Sequence, residues 1–196
     1  MWVVVGLGNP GRRYARSRHN TGFRVVDRLA ARWGVGVERE AHRAFLGEAR
    51  RDGERVLLVK PQTYYNASGG AVGSLARFYR FDAGHVLAVH DDADLALGRV
   101  RIKMGGGGAG GNHGVESLIT VLGTDFVRVK VGLGRPPAGW DTADYVLGPP
   151  SREEGEPLAA AEERAADAVE LVLAVGPEQA MNRINQKEAA HGGPPL

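Results

Sequence analysis

The chain of 196 residues contains no cysteine. That excludes disulfides, a thiol nucleophile and any thiolate metal ligand. No apolar run approaches the roughly 18 residues that a membrane-spanning helix needs. No serine stands in a G-x-S-x-G setting, the nearest approach being NASGG (66–70), so a serine-hydrolase reading lacks its nucleophile elbow. Neither H-E-x-x-H nor a cluster of histidines is present, which leaves Asp92 and Asp94 of HDDADLALG (90–98) as the one cation site to weigh. The start, MWVVVGLGNPG, has no basic stretch ahead of its apolar residues and reads as a first β-strand rather than a targeting segment. A single-domain cytoplasmic enzyme or binding protein is expected.

What is present is glycine and an uneven charge. GGGGAGGNHG (105–114) puts seven glycines into ten positions and ends on Asn112 and His113. Such a run approaches a phosphate closely or moves as a gate, at a high entropic cost when ordered. Up to residue 135 the chain holds 21 lysines and arginines against 12 carboxylates, a balance of +9, and after it 4 against 11, a balance of −7. A positive field over the glycine-rich part suits a phosphate-bearing partner.

Short apolar runs at 2–5, 55–59, 86–90 and 127–133 alternate with helical patterns at 22–34, 68–81, 114–123 and 152–175. The alternation predicts an α/β fold. Asp52-Gly53 predicts a hairpin between strands near 44–51 and 55–59, so the sheet is expected to be mixed. Residues 135–150 and the tail after Lys187 are expected to be mobile loops.

G-x-G-x-x-G (Gly6, Gly8, Gly11) follows the first strand, as in dinucleotide-binding folds. There a helix must begin at the motif to hold a pyrophosphate, whereas Pro10 and the cationic RRYARSRHN postpone the helix to about residue 22. The loop instead offers Asn9, Tyr14 and His19 where open α/β sheets keep their sites. A histidine there acts as a base near neutral pH if a partner orients it. Asp91, at the end of another strand, is the candidate partner. KPQTYYNASGG (60–70) adds an amide, Asn66, and two rings, Tyr64 and Tyr65, that stack on bases or close the core.

Taken in order, GLGNPGRRY, RHNTG, KPQTYYNASG, HDDADLALG, GGGGAGGNHG and VGLGRP closely resemble the signature segments of the bacterial peptidyl-tRNA hydrolase family, from residue 3 to about 149. The resemblance implies a single α/β domain, a twisted mixed β-sheet flanked by helices, spanning 1–187 with a flexible tail at 188–196. It implies a monomer, free of cofactor and metal, that acts on peptidyl-tRNA. By motif, His19 matches the family's general base and Asp91 the residue that holds it. Asn9 matches the asparagine that tells peptidyl-tRNA from aminoacyl-tRNA, and Asn66 one that contacts peptide and water. Tyr14, Tyr64 and Asn66 fall around the tRNA end. Lys103 and Arg135 match phosphate-contacting cations, and Lys130 replaces a common arginine.

Two further departures from the family pattern bear on the site. Tyr65 stands where methionine is usual and is expected to narrow the peptide channel. The usual His-Asn pair is reversed in Asn112-His113, after one extra glycine, and Asn112 is expected to re-register into the place of the family's asparagine. The glycine run is expected to gate the site. A relative that binds RNA without catalysis is the competing reading, which the intact His19, Asp91, Asn9 and Asn66 disfavour.

Overall fold

Val3, Val4 and Val5 are all completely buried, which marks β1 (Trp2–Gly6) as a strand covered on both faces. In the computed structural model, which describes residues 1–191, β1 lies at the centre of a seven-stranded mixed sheet of order β2-β3-β4-β1-β5-β7-β6. The strands β4 (Glu54–Pro61), β1, β5 (Val86–Asp92) and β7 (Val127–Gly132) run parallel. The antiparallel edges are β2 (Arg39–Ala41) with β3 (Ala44–Arg51) on one side and β6 (Val100–Lys103) on the other. β2 and β6 were not foreseen, being short and half exposed.

Alternate residues of β1 feed two separate cores. Val4 packs with Val26 and Leu29 of α1 (Thr21–Trp33) and with Ala165 and Val169 of α5 (Arg152–Val175). Val3 and Val5 pack with Val72 and Leu75 of α2 (Ser68–Tyr79) and with Val115 and Leu118 of α3 (His113–Leu122). The chain leaves β1 for β4 on one side and then crosses to β5 on the other. The crevice of this open sheet therefore opens at the carboxyl ends of β1 and β5.

Gly6 and Gly8 of the G-x-G-x-x-G stretch serve packing, whereas Gly11 has open space around it and a φ of 94°. A Cβ on Gly6 would stand 2.3 Å from the Gly22 carbonyl oxygen, and one on Gly22 would stand 2.4 Å from the backbone of Leu7 and Val89. Only glycine at both positions lets the start of α1 rest on the sheet. α1 ends at Gly34, left-handed at φ 65°.

Two expectations about loops need correction. Within 135–150 the chain forms α4 (Thr142–Leu147), capped by the Asp141 carboxylate, which accepts from the backbone N–H of Ala143 and Asp144. Its Tyr145 is buried and donates its hydroxyl to the Leu133 carbonyl. At the C-terminus α6 (Pro177–His191) continues through the expected start of the tail, and the remainder of that tail, 192–196, lies outside the described residues. Asn185 of α6 closes the free edge of β6, its side-chain amide bonding both the N–H and the carbonyl of Ile102 at 2.9 Å.

The charge imbalance is partly resolved inside the molecule. Arg24, Arg28 and Arg32 of α1 pair with Glu162, Glu163, Asp167 and Glu170 of α5. Much of the acidic balance after residue 135 thus faces arginines before it. No helix among the described residues is long and apolar enough to cross a membrane.

Candidate active site

A cleft of about 950 Å³ opens where β1, β4, β5 and β7 end. His19 stands on its wall, in a single 3-10 turn (Arg18–Asn20) just before α1. Its Nδ1 lies 3.0 and 2.9 Å from Oδ1 and Oδ2 of Asp91, near the end of β5. The Asp91 side chain is 4% exposed and that of His19 17%. With Nδ1–H donated to the carboxylate, the neutral ring keeps its lone pair at Nε2, the arrangement of a base held in one tautomer.

The sequence-based role of Tyr65 needs correction. It lines the cleft, but only 3% of it is exposed, so most of the side chain is committed to the wall. Its ring stacks under that of His19, centroids 3.4 Å apart at 16°. Its hydroxyl donates to Asp91 Oδ1 at 2.8 Å and accepts from Asn112 Nδ2 at 2.9 Å. Burial, reinforced by the charge of Asp91, holds the phenol well above its ordinary pKa. Gly114 makes room for this ring, because a Cβ there would come within 2.4 Å of it.

Asn9 and Asn112 are anchored differently. Asn9 Oδ1 accepts from the Tyr65 N–H at 2.7 Å, which leaves its amide NH₂ for the cleft. Asn112 turns both ends of its amide inward. Its Oδ1 caps α3 by accepting from Val115 N–H, and its Nδ2 donates to the Tyr65 hydroxyl and to the Asp91 carbonyl at 3.2 Å. His113 is the first helical residue, and its ring turns outward to Glu116, with Nδ1 3.1 Å from Oε2. Asn112 thus turns to the Tyr65–Asp91 pair, whereas His113, which also lines the cleft, keeps its ring exposed beside Glu116.

The glycine run is held in a defined path. Gly106, Gly107, Gly110 and Gly111 all have φ between 60° and 79°, where other residues are strained. The buried Arg128 donates to the carbonyls of Gly107 and Gly108 at 3.3 and 2.8 Å.

Tyr14, Tyr64, Asn66, Lys130 and Arg135 also line the cleft. Asn66 is exposed in the turn that leads into α2, beside the exposed Tyr64 ring. Lys130 pairs with Asp92, and Arg135 with Asp94 at 3.2 Å, so each carboxylate weighed as a cation ligand faces a cation of the chain itself. Burial pushes the Asp92 carboxyl up, but Lys130 outweighs it and leaves the group below its ordinary pKa. Lys103 stands off the cleft wall, on β6, its ammonium against Gly107 of the glycine run.

Two residues of the site carry no mark in the sequence. Asn20, 3% exposed, accepts from Asn9 N–H at 2.8 Å and donates to the Asn9 carbonyl at 2.9 Å, fixing the loop after β1. Arg18 lies 4.0 Å over the Tyr145 ring, donates to the Tyr145 carbonyl and pairs with Glu154. It ties the turn bearing His19 to α4 and α5. An amide and a guanidinium inside RHNTG and its flank were visible, but their partners are 11 to 136 residues away.

Fold and site together define a class: a single-domain α/β protein with a histidine–carboxylate pair in a cleft at the ends of parallel strands. The sequence profile of the peptidyl-tRNA hydrolase family matches residues 3–191. A peptidyl-tRNA hydrolase of Rhodococcus erythropolis is 48% identical over 93% of this chain and 97% of its own. One of Moorella thermoacetica is 49% identical over 93% and 97%. The crystal structure of peptidyl-tRNA hydrolase from Acinetobacter baumannii superposes with a TM-score of 0.88 at 34% identity, covering 94% of each chain. The chain belongs to the peptidyl-tRNA hydrolase family and is an enzyme of the hydrolase class.

Proposed function

We propose that the protein hydrolyses the ester between a peptide and the 3′-terminal ribose of tRNA, with His19 as general base on water. The observation that carries this reading is the 2.9 Å contact of His19 Nδ1 with the nearly buried Asp91 on the wall of the cleft. Nε2 takes a proton from water, and the resulting hydroxide adds to the ester carbonyl. The NH₂ groups of Asn9 and Asn66 bond the oxygen on which charge develops. Collapse of the tetrahedral adduct breaks the bond to the ribose oxygen, which recovers the proton from the imidazolium. The products are free tRNA and a peptide carboxylic acid, which loses its proton to solvent to become the carboxylate. Water, one base and a few donors suffice because an ester is easier to cleave than an amide, and the base alone supplies about 10²–10⁴-fold.

Tyr64 and Tyr14 offer faces for the terminal bases. Lys103, Lys130 and Arg135 supply positive charge for the phosphates, the last two exchanging Asp92 and Asp94 for substrate. The glycine run, 105–111, acts as the gate. The protein works as a cytoplasmic monomer, free of cofactor, with residues 1–187 as one domain.

Incubation with an N-acylaminoacyl-tRNA, followed by separation of charged and free tRNA, tests the reading. His19→Ala is expected to reduce kcat by about 10²–10⁴-fold while binding of tRNA changes little. Binding of tRNA with no release by the unaltered protein would establish the RNA-binding alternative. Near-normal turnover by His19→Ala would remove His19 from the mechanism.

A further inference from the structure

We infer that Tyr65 is a positioning residue that links the end of the glycine run to the His19–Asp91 pair, through the chain Asn112–Tyr65–Asp91–His19. The inference rests on the hydrolase reading above. A phenol hydroxyl has one hydrogen and accepts from others. Here Asn112 Nδ2, which can only donate, lies 2.9 Å from the oxygen, and Asp91 Oδ1, which can only accept when ionised, lies 2.8 Å from it. The direction of both bonds is therefore forced. Asn112 donates to Tyr65, and the Tyr65 proton goes to the carboxylate that orients His19.

Three consequences follow for the pair. The Tyr65 hydroxyl shares Asp91 Oδ1 with His19 Nδ1, at 2.8 and 3.0 Å, so part of the carboxylate charge is taken up by the phenol. The stacked ring, 3.4 Å from that of His19, fixes the plane in which His19 turns. Asn112 stands where the glycine run meets α3, with its Oδ1 spent on the Val115 N–H. Displacing that end of the loop withdraws the donors from both the Tyr65 hydroxyl and the Asp91 carbonyl. The pair is thus complete only with the loop docked.

Tyr65→Phe keeps the ring, its stack and its volume and deletes only the hydroxyl. It is expected to fold, to lower kcat by roughly three- to tenfold with KM little changed, and to move the acid limb of the pH–rate profile to higher pH. The double variant Tyr65→Phe/Asn112→Ala is expected to lose less than the product of the two single losses, because both break one chain. Tyr65→Met, which also removes the stack, is expected to lose more. An unchanged kcat and pH profile in Tyr65→Phe, or multiplicative losses in the double variant, would overturn the linkage. An NMR titration of the His19 ring nitrogens needs no substrate, so it tests the linkage even if the unaltered protein releases no tRNA. A midpoint that moves up in Tyr65→Phe supports the chain, and an unmoved one refutes it. Absent turnover alone counts against the hydrolase reading.

Discussion

Asn20→Ala removes an amide that no part of the proposed reaction touches, yet it is expected to damage both stability and catalysis. The amide is 3% exposed and holds both backbone groups of Asn9, itself 6% exposed, at 2.8 and 2.9 Å. Alanine leaves a buried N–H and a buried carbonyl without partners, at about 1–3 kcal/mol each, so the loss is about 2–6 kcal/mol in all. For a domain of this size that is a fall in melting temperature of roughly 4–24 °C. The damage travels along the chain, because Asn9 Oδ1 holds the Tyr65 N–H and the Tyr65 ring lies beneath His19. A lower kcat is therefore expected at temperatures where the variant is still folded. Asn20→Asp provides the control. It keeps an acceptor for Asn9 N–H but sets an oxygen against the Asn9 carbonyl, and is expected to be no better than alanine. Urea unfolding followed by circular dichroism, with turnover measured on the same samples, reads both effects. A loss of less than about 0.5 kcal/mol, the range of an ordinary surface change, would show that the two bonds contribute nothing and refute the reasoning.

Asn112→Ala is expected to lower kcat/KM more than His113→Ala, since Asn112 bonds Tyr65 and Asp91 whereas His113 faces Glu116; the opposite order would give the imidazole the role. Lys103→Ala is expected to reduce the slope of log affinity for tRNA against log salt by about one, and an identical slope would make Lys103 a solvated bystander. Exhaustive chelation is expected to leave turnover intact, because Asp92 and Asp94 face Lys130 and Arg135; a loss restored by a divalent ion would reverse this. Glu154 governs part of the acid stability: burial pushes its carboxyl up, but the Ser151 N–H, Arg18 and the Tyr145 hydroxyl outweigh burial and hold it below 4.5. A depressed folded-state pKa gives stability that is fully present above that ordinary value and lost as pH falls through the folded one, so Glu154→Gln is expected to flatten the decline in urea midpoint below pH 4.5. An equally steep decline would assign the acid sensitivity elsewhere.

The alternation of apolar strands with amphipathic helices was enough to define the α/β class, because a strand buried on both faces must be apolar throughout. Val3, Val4 and Val5 show this directly. The hairpin at Asp52-Gly53, the late start of α1 and the helices α1, α2, α3 and α5 were legible for the same local reasons: turn chemistry, a proline, a 3.6-residue period; α6 was not. Where local pattern was weak, the reading failed. α4 is six residues long, its order depends on Tyr145 reaching Leu133 and Glu154, and nothing within 135–150 announces those contacts. β6 is a strand because β7 and Asn185 give its backbone partners.

The site divides along the same line. The segments name the types of group present, so His19, Asp91, Asn9 and Asn66 are visible as candidates in the sequence alone, and their order carries the family. Distances between them depend on strand order. His19 and Asp91 are 72 residues apart in the chain and 2.9 Å apart in space only because β1 and β5 are neighbours. Tyr65 passes for a channel residue until α3 and Gly114 bring its hydroxyl between Asn112 and Asp91. The order Asn112-His113 states that an amide and an imidazole are adjacent. Which of them turns inward is decided by the start of α3, where the N-cap side chain must reach the Val115 N–H and the next residue must point away.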